Sequence, residues 1–221
     1  MNLVVESDDS GAALAQLGFP NQVAGGNATL KAELRWPGSP GQFKFERLYG
    51  EVELAAKKGR FLQVEPGSGR LMGLFNVDAL ARRITLDFTD VFSKGFAFDR
   101  INAKGRIAQG DLFSDGIYIV GPAAMIEARG RAGLEKEDYD MELIVAPDVG
   151  GNLTLLSALA NPAAGAVVFL VQKLFKKQLA KVVHYRYQVN GPWDDPNIVQ
   201  MLRQPTASDA DAPEDATGTE R

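Results

Sequence analysis

The sequence contains no cysteine, so disulfide bonds, thiolate nucleophiles and cysteine-ligated zinc sites are excluded. Its single histidine, His184, lies in an alternating segment that places it on the polar face of a strand. There is no Gly-x-Ser-x-Gly motif of the serine hydrolases and no Gly-rich phosphate loop. The carboxylate pair Asp194 and Asp195 falls in a predicted turn. These absences favour a protein without catalytic residues, cofactor or metal.

Net charge is absent from most of the chain. Residues 204–221 hold five acids and one base, which account for the whole net charge of −4. A charge-balanced body argues against a nucleic-acid partner, since such proteins present a basic face. The tail also lacks large apolar residues, which predicts disorder. We therefore expect one domain over 1–203, followed by a disordered acidic tail over 204–221.

No signal peptide and no membrane span are predicted. The N-terminal stretch MNLVVESDDSG lacks a basic region and a long apolar region. The longest apolar run, 163–171, is far shorter than the ~20 residues that a spanning helix needs. Asn161 and Pro162 instead form the usual start of a helix, which we expect over 162–182.

This C-terminal helix is predicted to be amphipathic, with one basic and one apolar stripe. The lysines at helical spacing are Lys173, Lys176, Lys177 and Lys181, and the apolar stripe includes Leu174 and Phe175. Such a helix can lie in a membrane interface with its lysines toward anionic headgroups. It can equally pack on a sheet and point its lysines at water.

Most of the chain alternates between apolar and polar residues, which is typical of strands. Alternating segments occur at 29–36, 48–54, 84–89, 101–107, 124–129, 139–146 and 183–190. Clusters of Gly, Asp and Lys at 57–59, 109–111 and 130–133 predict turns between strands. Helices are predicted only over 9–17, 70–81 and 162–182. The fold class is therefore mainly β with few helices: a long, curved, largely antiparallel sheet that forms an open trough or incomplete barrel.

The predicted sheet has one apolar face and few helices to cover it. An uncovered apolar face larger than a few hundred Å² requires a partner, a membrane or a ligand. A sheet curved into a trough could hold acyl chains along that face.

Two long stretches resemble a known family. They are GRFLQVEPGSGRLMGLFNVDALARRITLDFTDVFSKGFAFDRINAKGRI (59–107) and HYRYQVNGPWDDP (184–196). Both are similar to the C-terminal region of YhdP-type proteins of the AsmA-like superfamily, and the resemblance extends over nearly all of 3–203. The combination of an R-R-x-x-L-D-F motif, an F-x-x-G-F-x-F-D motif and a terminal W-D-D-P is specific, although each piece alone is weak.

The resemblance implies a role in the envelope of Gram-negative bacteria. Such proteins are long chains anchored in the inner membrane, with a β-rich body that crosses the periplasm as an apolar trough. They are implicated in moving phospholipids between the two membranes. We expect the present chain to be a C-terminal portion without the anchor and most of the trough, periplasmic and membrane-associated, near the outer membrane.

On this basis, the predicted function is passive lipid holding. Acyl chains are expected to contact Leu86, Phe88, Phe96, Phe98, Ile101, Ile126, Met141 and Leu143. The expected partners are phospholipids, a membrane surface and the upstream part of the same architecture. One rival is a structural module of the envelope whose apolar face is filled internally. A second rival is an enzyme that uses His184, Asp194 or Asp195.

Overall fold

The computed structural model describes residues 1–62, 95–147 and 184–201. Within these ranges nine strands form one antiparallel sheet, in which each strand pairs with its neighbours in chain order. The strands are β1 (Asn2–Ser7), β2 (Val23–Arg35), β3 (Tyr49–Phe61), β4 (Phe96–Ala108), β5 (Asp111–Val120), β6 (Ala124–Gly133), β7 (Asp138–Pro147), β8 (Tyr185–Pro192) and β9 (Asn197–Met201). The sheet is not closed, because β1 and β9 each pair with one strand only.

One α-helix, α1 (Ser10–Gln16), lies in the described part of the chain, and it follows β1. The Asp9 carboxylate accepts a hydrogen bond from the backbone N–H of Ala12 at 3.0 Å, which caps the first turn. Gly18 has a φ of +93°, a left-handed conformation that favours glycine just past a helix end. The predicted helix over 9–17 is therefore confirmed to within a residue at each end.

The connections alternate between the two ends of the sheet. At one end lie a long connection over 36–48 and short turns over 109–110, 134–137 and 193–196. Gln109 and Gly110 both have positive φ, at 54° and 83°, as a two-residue hairpin turn of the I′ type requires. At the opposite end lie α1 and the 121–123 turn. The end of β3, the start of β4, the end of β7 and the start of β8 lie there as well.

Two predicted turns are wrong, because their residues lie inside strands. Gly130–Gly133 belongs to β6, and Lys57–Gly59 belongs to β3. In the second of these segments, Lys58 has a φ of +56°, and β3 continues through it. Glycine-rich sequence marks an irregular strand there, not a reversal of the chain.

The sequence interpretation also missed three strands, β1, β5 and β9. In β5 the alternation is broken by a bulge, where the pairing with β4 shifts between Lys104 and Arg106. The Ser114 hydroxyl donates to the Lys104 carbonyl at 2.6 Å and accepts from the Gly116 N–H at 3.2 Å, which stabilises the irregular backbone. A bulge inserts a residue into one strand, so the period of two no longer holds across it.

Several predictions fall outside the described residues. They are the strand over 84–89, the helices over 70–81 and 162–182, and the acidic tail over 204–221. The other predicted strands coincide with β2, β3, β4, β6, β7 and β8. The fold is thus mainly β, with the antiparallel pairing that the sequence predicts.

Candidate functional site

The most continuous chemical feature of the molecule is the apolar face of the sheet. Paired residues in successive strands form an unbroken row from β1 to β8: Val5, Leu30, Leu54, Ala103, Ile117, Ala128, Leu143 and Tyr187. A second row runs from β2 to β8: Ala28, Ala56, Ile101, Ile119, Ile126, Val145 and Tyr185. Alternation along each strand places both rows on one side of the sheet. We call this surface the apolar face.

Exposure changes steadily along the apolar face. In β4–β8 its large side chains are buried, for example Ile117 and Leu143, apart from the half-buried Tyr185. In β2 and β3 they are half-buried, as in Leu30 and Leu54. In the edge strand β1, Val5 is 40% exposed. The solvent-accessible part of the apolar face therefore lies at β1–β3.

The structure brings together the predicted lipid-contact residues that it describes. They are Phe96, Phe98, Ile101, Ile126, Met141 and Leu143, and all of them belong to one buried cluster. The predicted contacts Leu86 and Phe88 lie outside the described residues. So do the predicted membrane-surface residues Lys173, Lys176, Lys177, Lys181, Leu174 and Phe175.

Sequence reasoning missed the accessible residues of the apolar face. Val5 belongs to a strand that was not predicted, and Leu30 and Leu54 were recognised only as strand residues. The signal that could have found them is their position near the edge of the sheet, since edge strands have a neighbour on one side only. Alternation alone assigns a face but does not report how deeply that face is covered.

Aromatic rings cluster where β3 ends and β4 begins. Phe61 in β3 pairs with Phe96 in β4, and the rings of Phe61 and Phe98 lie 5.1 Å apart in a tilted arrangement. The Phe98 ring packs directly over Gly59, where a Cβ atom would collide with it. Gly59 therefore permits a close approach that a larger residue would prevent.

Two tyrosine hydroxyls on the apolar face have no hydrogen-bond partner among the residues that the structure describes. They belong to Tyr139 and Tyr187, and both hydroxyl oxygens are buried. Desolvation and, to a smaller extent, the nearby Tyr185 raise the pKa of Tyr187 to about 12. Desolvation also raises the pKa of Tyr139 well above its ordinary value. Each hydroxyl is a neutral donor that remains unsatisfied in apolar surroundings, which costs free energy.

The opposite face of the sheet carries ion pairs. Arg131 contacts Asp111 at 3.0 Å and Asp138 at 2.9 Å, and Arg129 contacts Glu142 at 2.6 Å. The hydrogen bond from Arg131 lowers the pKa of Asp138 below its ordinary value. These pairs bridge neighbouring strands, as is typical of structural ion pairs on a sheet surface.

The residues considered for catalysis do not form a cluster. Asp194 and Asp195 lie in the turn between β8 and β9, and His184 immediately precedes β8. Nearby, Trp193 is buried and its indole N–H donates to the Asp138 carbonyl at 3.0 Å, which anchors this turn to β7. Over the described ranges no group of three or more metal-ligating side chains occurs. No helix within those ranges is long and apolar enough to cross a membrane.

The described strands define a mainly β protein built on one open antiparallel sheet with a continuous apolar face. Comparison with known proteins identifies the family. The family model described as YhdP protein matches residues 1–198. The chain belongs to this family.

A curated relative carries the name of this family. The chain is 34% identical over 196 residues to the Intermembrane phospholipid transporter YhdP of Escherichia coli (strain K12). The match covers 88% of this chain and 16% of the relative, so the chain spans about a sixth of that protein's length. No solved structure matches.

Proposed function

We propose that this chain is part of a protein that transports phospholipids between membranes, and that its apolar face holds acyl chains during passage. The proposal includes a periplasmic, membrane-associated location and a contribution to outer-membrane lipid homeostasis. The observation that carries it is the continuous apolar row from Val5 to Tyr187, in a chain whose relative is named as a phospholipid transporter.

The chemistry of the apolar face suits passive holding. Each CH₂ group that leaves water for an apolar surface contributes ~0.8 kcal/mol, so partial shielding of two acyl chains is strongly favourable. The exposed edge at β1–β3 is where an acyl chain first meets this surface. The buried cluster around Phe98, Met141 and Leu143 becomes accessible only if the face opens.

The unpaired tyrosine hydroxyls add a polar element to this proposal. Tyr139 and Tyr187 can donate to ester oxygens at the junction between an acyl chain and its headgroup. Within the described part of the chain these donors are unpaired. Occupation by lipid would remove part of that cost.

The proposed role is transport without catalysis. Direction would have to be supplied by other parts of the envelope. The alternative, a structural module whose apolar face is filled internally, is favoured by the deep burial of the cluster in β4–β8.

Native mass spectrometry and lipid extraction of the purified chain distinguish the two functions. Leu54 and Ala55 are adjacent in β3 but point to opposite faces, which provides a matched pair of variants. We expect co-purifying phospholipid in the wild type and in Ala55→Asp, and a marked loss in Leu54→Asp. A lipid-free wild type with a cooperative thermal transition would instead support the structural module.

A further inference from the structure

The connection between β2 and β3 presents aromatic rings to solvent. Trp36, Phe43 and Phe45 form a chain of edge-to-face contacts, with centroid distances of 5.6 Å and 5.2 Å. Phe43 is 41% exposed and Phe45 is 44% exposed. We call residues 36–48 the aromatic loop.

Hydrogen bonds within the aromatic loop fix its shape. The Ser39 N–H donates to the Gln42 side-chain carbonyl at 3.1 Å, and the Gln42 N–H donates to the Ser39 carbonyl at 2.9 Å. The Trp36 indole N–H donates to the same Ser39 carbonyl at 3.3 Å. Leu48 is buried and closes the loop through a hydrogen bond to the Phe45 carbonyl at 3.0 Å. The rings are thus held outward by an ordered backbone.

The charges around the aromatic loop are mixed. Lys44, between the two phenylalanines, and Arg47 are exposed, as is Lys136 in the neighbouring turn. Glu46 and Glu135 contact each other, and desolvation together with this hydrogen bond raises the pKa of Glu135. With the exposed Glu137 the three bases face three acids, and such a balanced set gives little long-range attraction for a partner of either sign.

The exposed rings are too few for a stable protein interface. A fully buried aromatic side chain covers about 150–250 Å², so two rings at these exposures offer on the order of 170 Å². A stable protein interface covers about 800 Å² on each partner. At a membrane interface, by contrast, individual aromatic rings with nearby bases are favourable at the headgroup level.

We infer that the aromatic loop is a membrane-docking element that inserts Phe43 and Phe45 into the interfacial region of a lipid bilayer. This inference does not depend on lipid binding at the apolar face. The loop lies at the end of the sheet opposite to the end of β7 and the start of β8.

Tryptophan fluorescence with vesicles tests the inference. The two tryptophans are Trp36, in the loop, and Trp193, which is buried, and Trp36→Phe assigns the signal. With vesicles of phosphatidylcholine and phosphatidylglycerol we expect a blue shift that Trp36→Phe abolishes. Because ring insertion dominates, the partition coefficient should change by less than about threefold between 50 mM and 500 mM salt.

Two serine variants provide the test and its control. Phe43→Ser/Phe45→Ser should weaken partitioning about tenfold or more, since two apolar rings leave the interface. Leu17→Ser removes an exposed apolar residue from the opposite end of the sheet. This variant should show the same vesicle-induced blue shift of Trp36 as the wild type. Both variants alter exposed positions, so circular dichroism should confirm an unchanged fold.

Three results would overturn the inference. One is an unshifted Trp36 emission with vesicles, even if the chain sediments with them through another segment. Another is equal partitioning of the wild type and the double serine variant. The third is self-association that the double serine variant abolishes without any vesicle binding, which would assign the loop to contact with a second copy.

Discussion

The two halves of the apolar face share one pattern of alternation but differ in how deeply their side chains are buried. In β4–β8 the pattern forms a buried cluster that includes Ile101, Ile126 and Leu143. In β1–β3 the same rows continue through Val5, which is 40% exposed, and the half-buried Leu54. The comparison indicates that one half of the face stabilises the fold, while the other remains available for binding. Substitutions in the two halves should therefore separate stability from lipid binding.

The largest expected effect is on stability in the buried half. Leu143→Ala should lower the free energy of unfolding by about 2–5 kcal/mol, because it removes transfer free energy and leaves a cavity. Leu30→Ala, on the same row but half-buried, should cost about 1 kcal/mol. Urea unfolding of both variants measures the difference. Equal losses would contradict the division into two halves.

Ion pairs on the opposite face should show a similar contrast, with smaller changes in the free energy of unfolding. Arg131 bridges Asp111 and Asp138 with its side chain only 23% exposed. Arg131→Gln should lower the free energy of unfolding by about 1–3 kcal/mol, since hydrogen bonds to two charged partners are lost. A loss below a few tenths of a kcal/mol would show that the network does not support this half.

The Arg131 effect should depend on pH. Its hydrogen bond lowers the pKa of Asp138 in the folded state, so the stabilisation is present above the unfolded value of ~3.9 and is lost as the pH falls further. The difference in unfolding free energy between wild type and Arg131→Gln should therefore shrink from pH 7 to pH 3. A difference that stays constant would assign the effect to packing of the arginine stem.

The smallest effect is expected for a more exposed ion pair, which joins β3 to β4 at the boundary between the two halves. Lys104 contacts Glu53 at 2.5 Å, with both side chains more than 40% exposed. Lys104→Gln should change the free energy of unfolding by less than about 1 kcal/mol. Urea unfolding in low and high salt provides the measurement, and a loss as large as that of Arg131→Gln would remove the contrast.

Alternation predicted much of the fold, because the period of two survives wherever a strand is regular. It correctly placed Ile101, Ile126 and Met141 on one face. It failed where the backbone is irregular. The bulge near Ser114 interrupts the alternation in β5, and Lys58, which has a positive φ inside β3, was predicted to lie in a turn. Short edge strands such as β9 offer too few residues for a period to be recognised.

The candidate site was less predictable than the fold. Burial depends on which strands lie at the edges, so the accessibility of Leu54 and the burial of Phe98 could not be read from their chemistry. The unpaired hydroxyls of Tyr139 and Tyr187 follow from tertiary surroundings as well. The aromatic loop was not recognised, because Phe43 and Phe45 lie outside any alternating segment.

Photo-crosslinking from the two faces of β3 tests the central claim most directly. A benzoylphenylalanine placed at position 54 lies on the accessible part of the apolar face, and one at position 55 lies on the opposite face. After irradiation in the presence of phospholipid vesicles, the account predicts lipid adducts at position 54 and few at position 55. Equal labelling at both positions, or labelling at position 55 alone, would contradict the claim that the apolar face holds acyl chains.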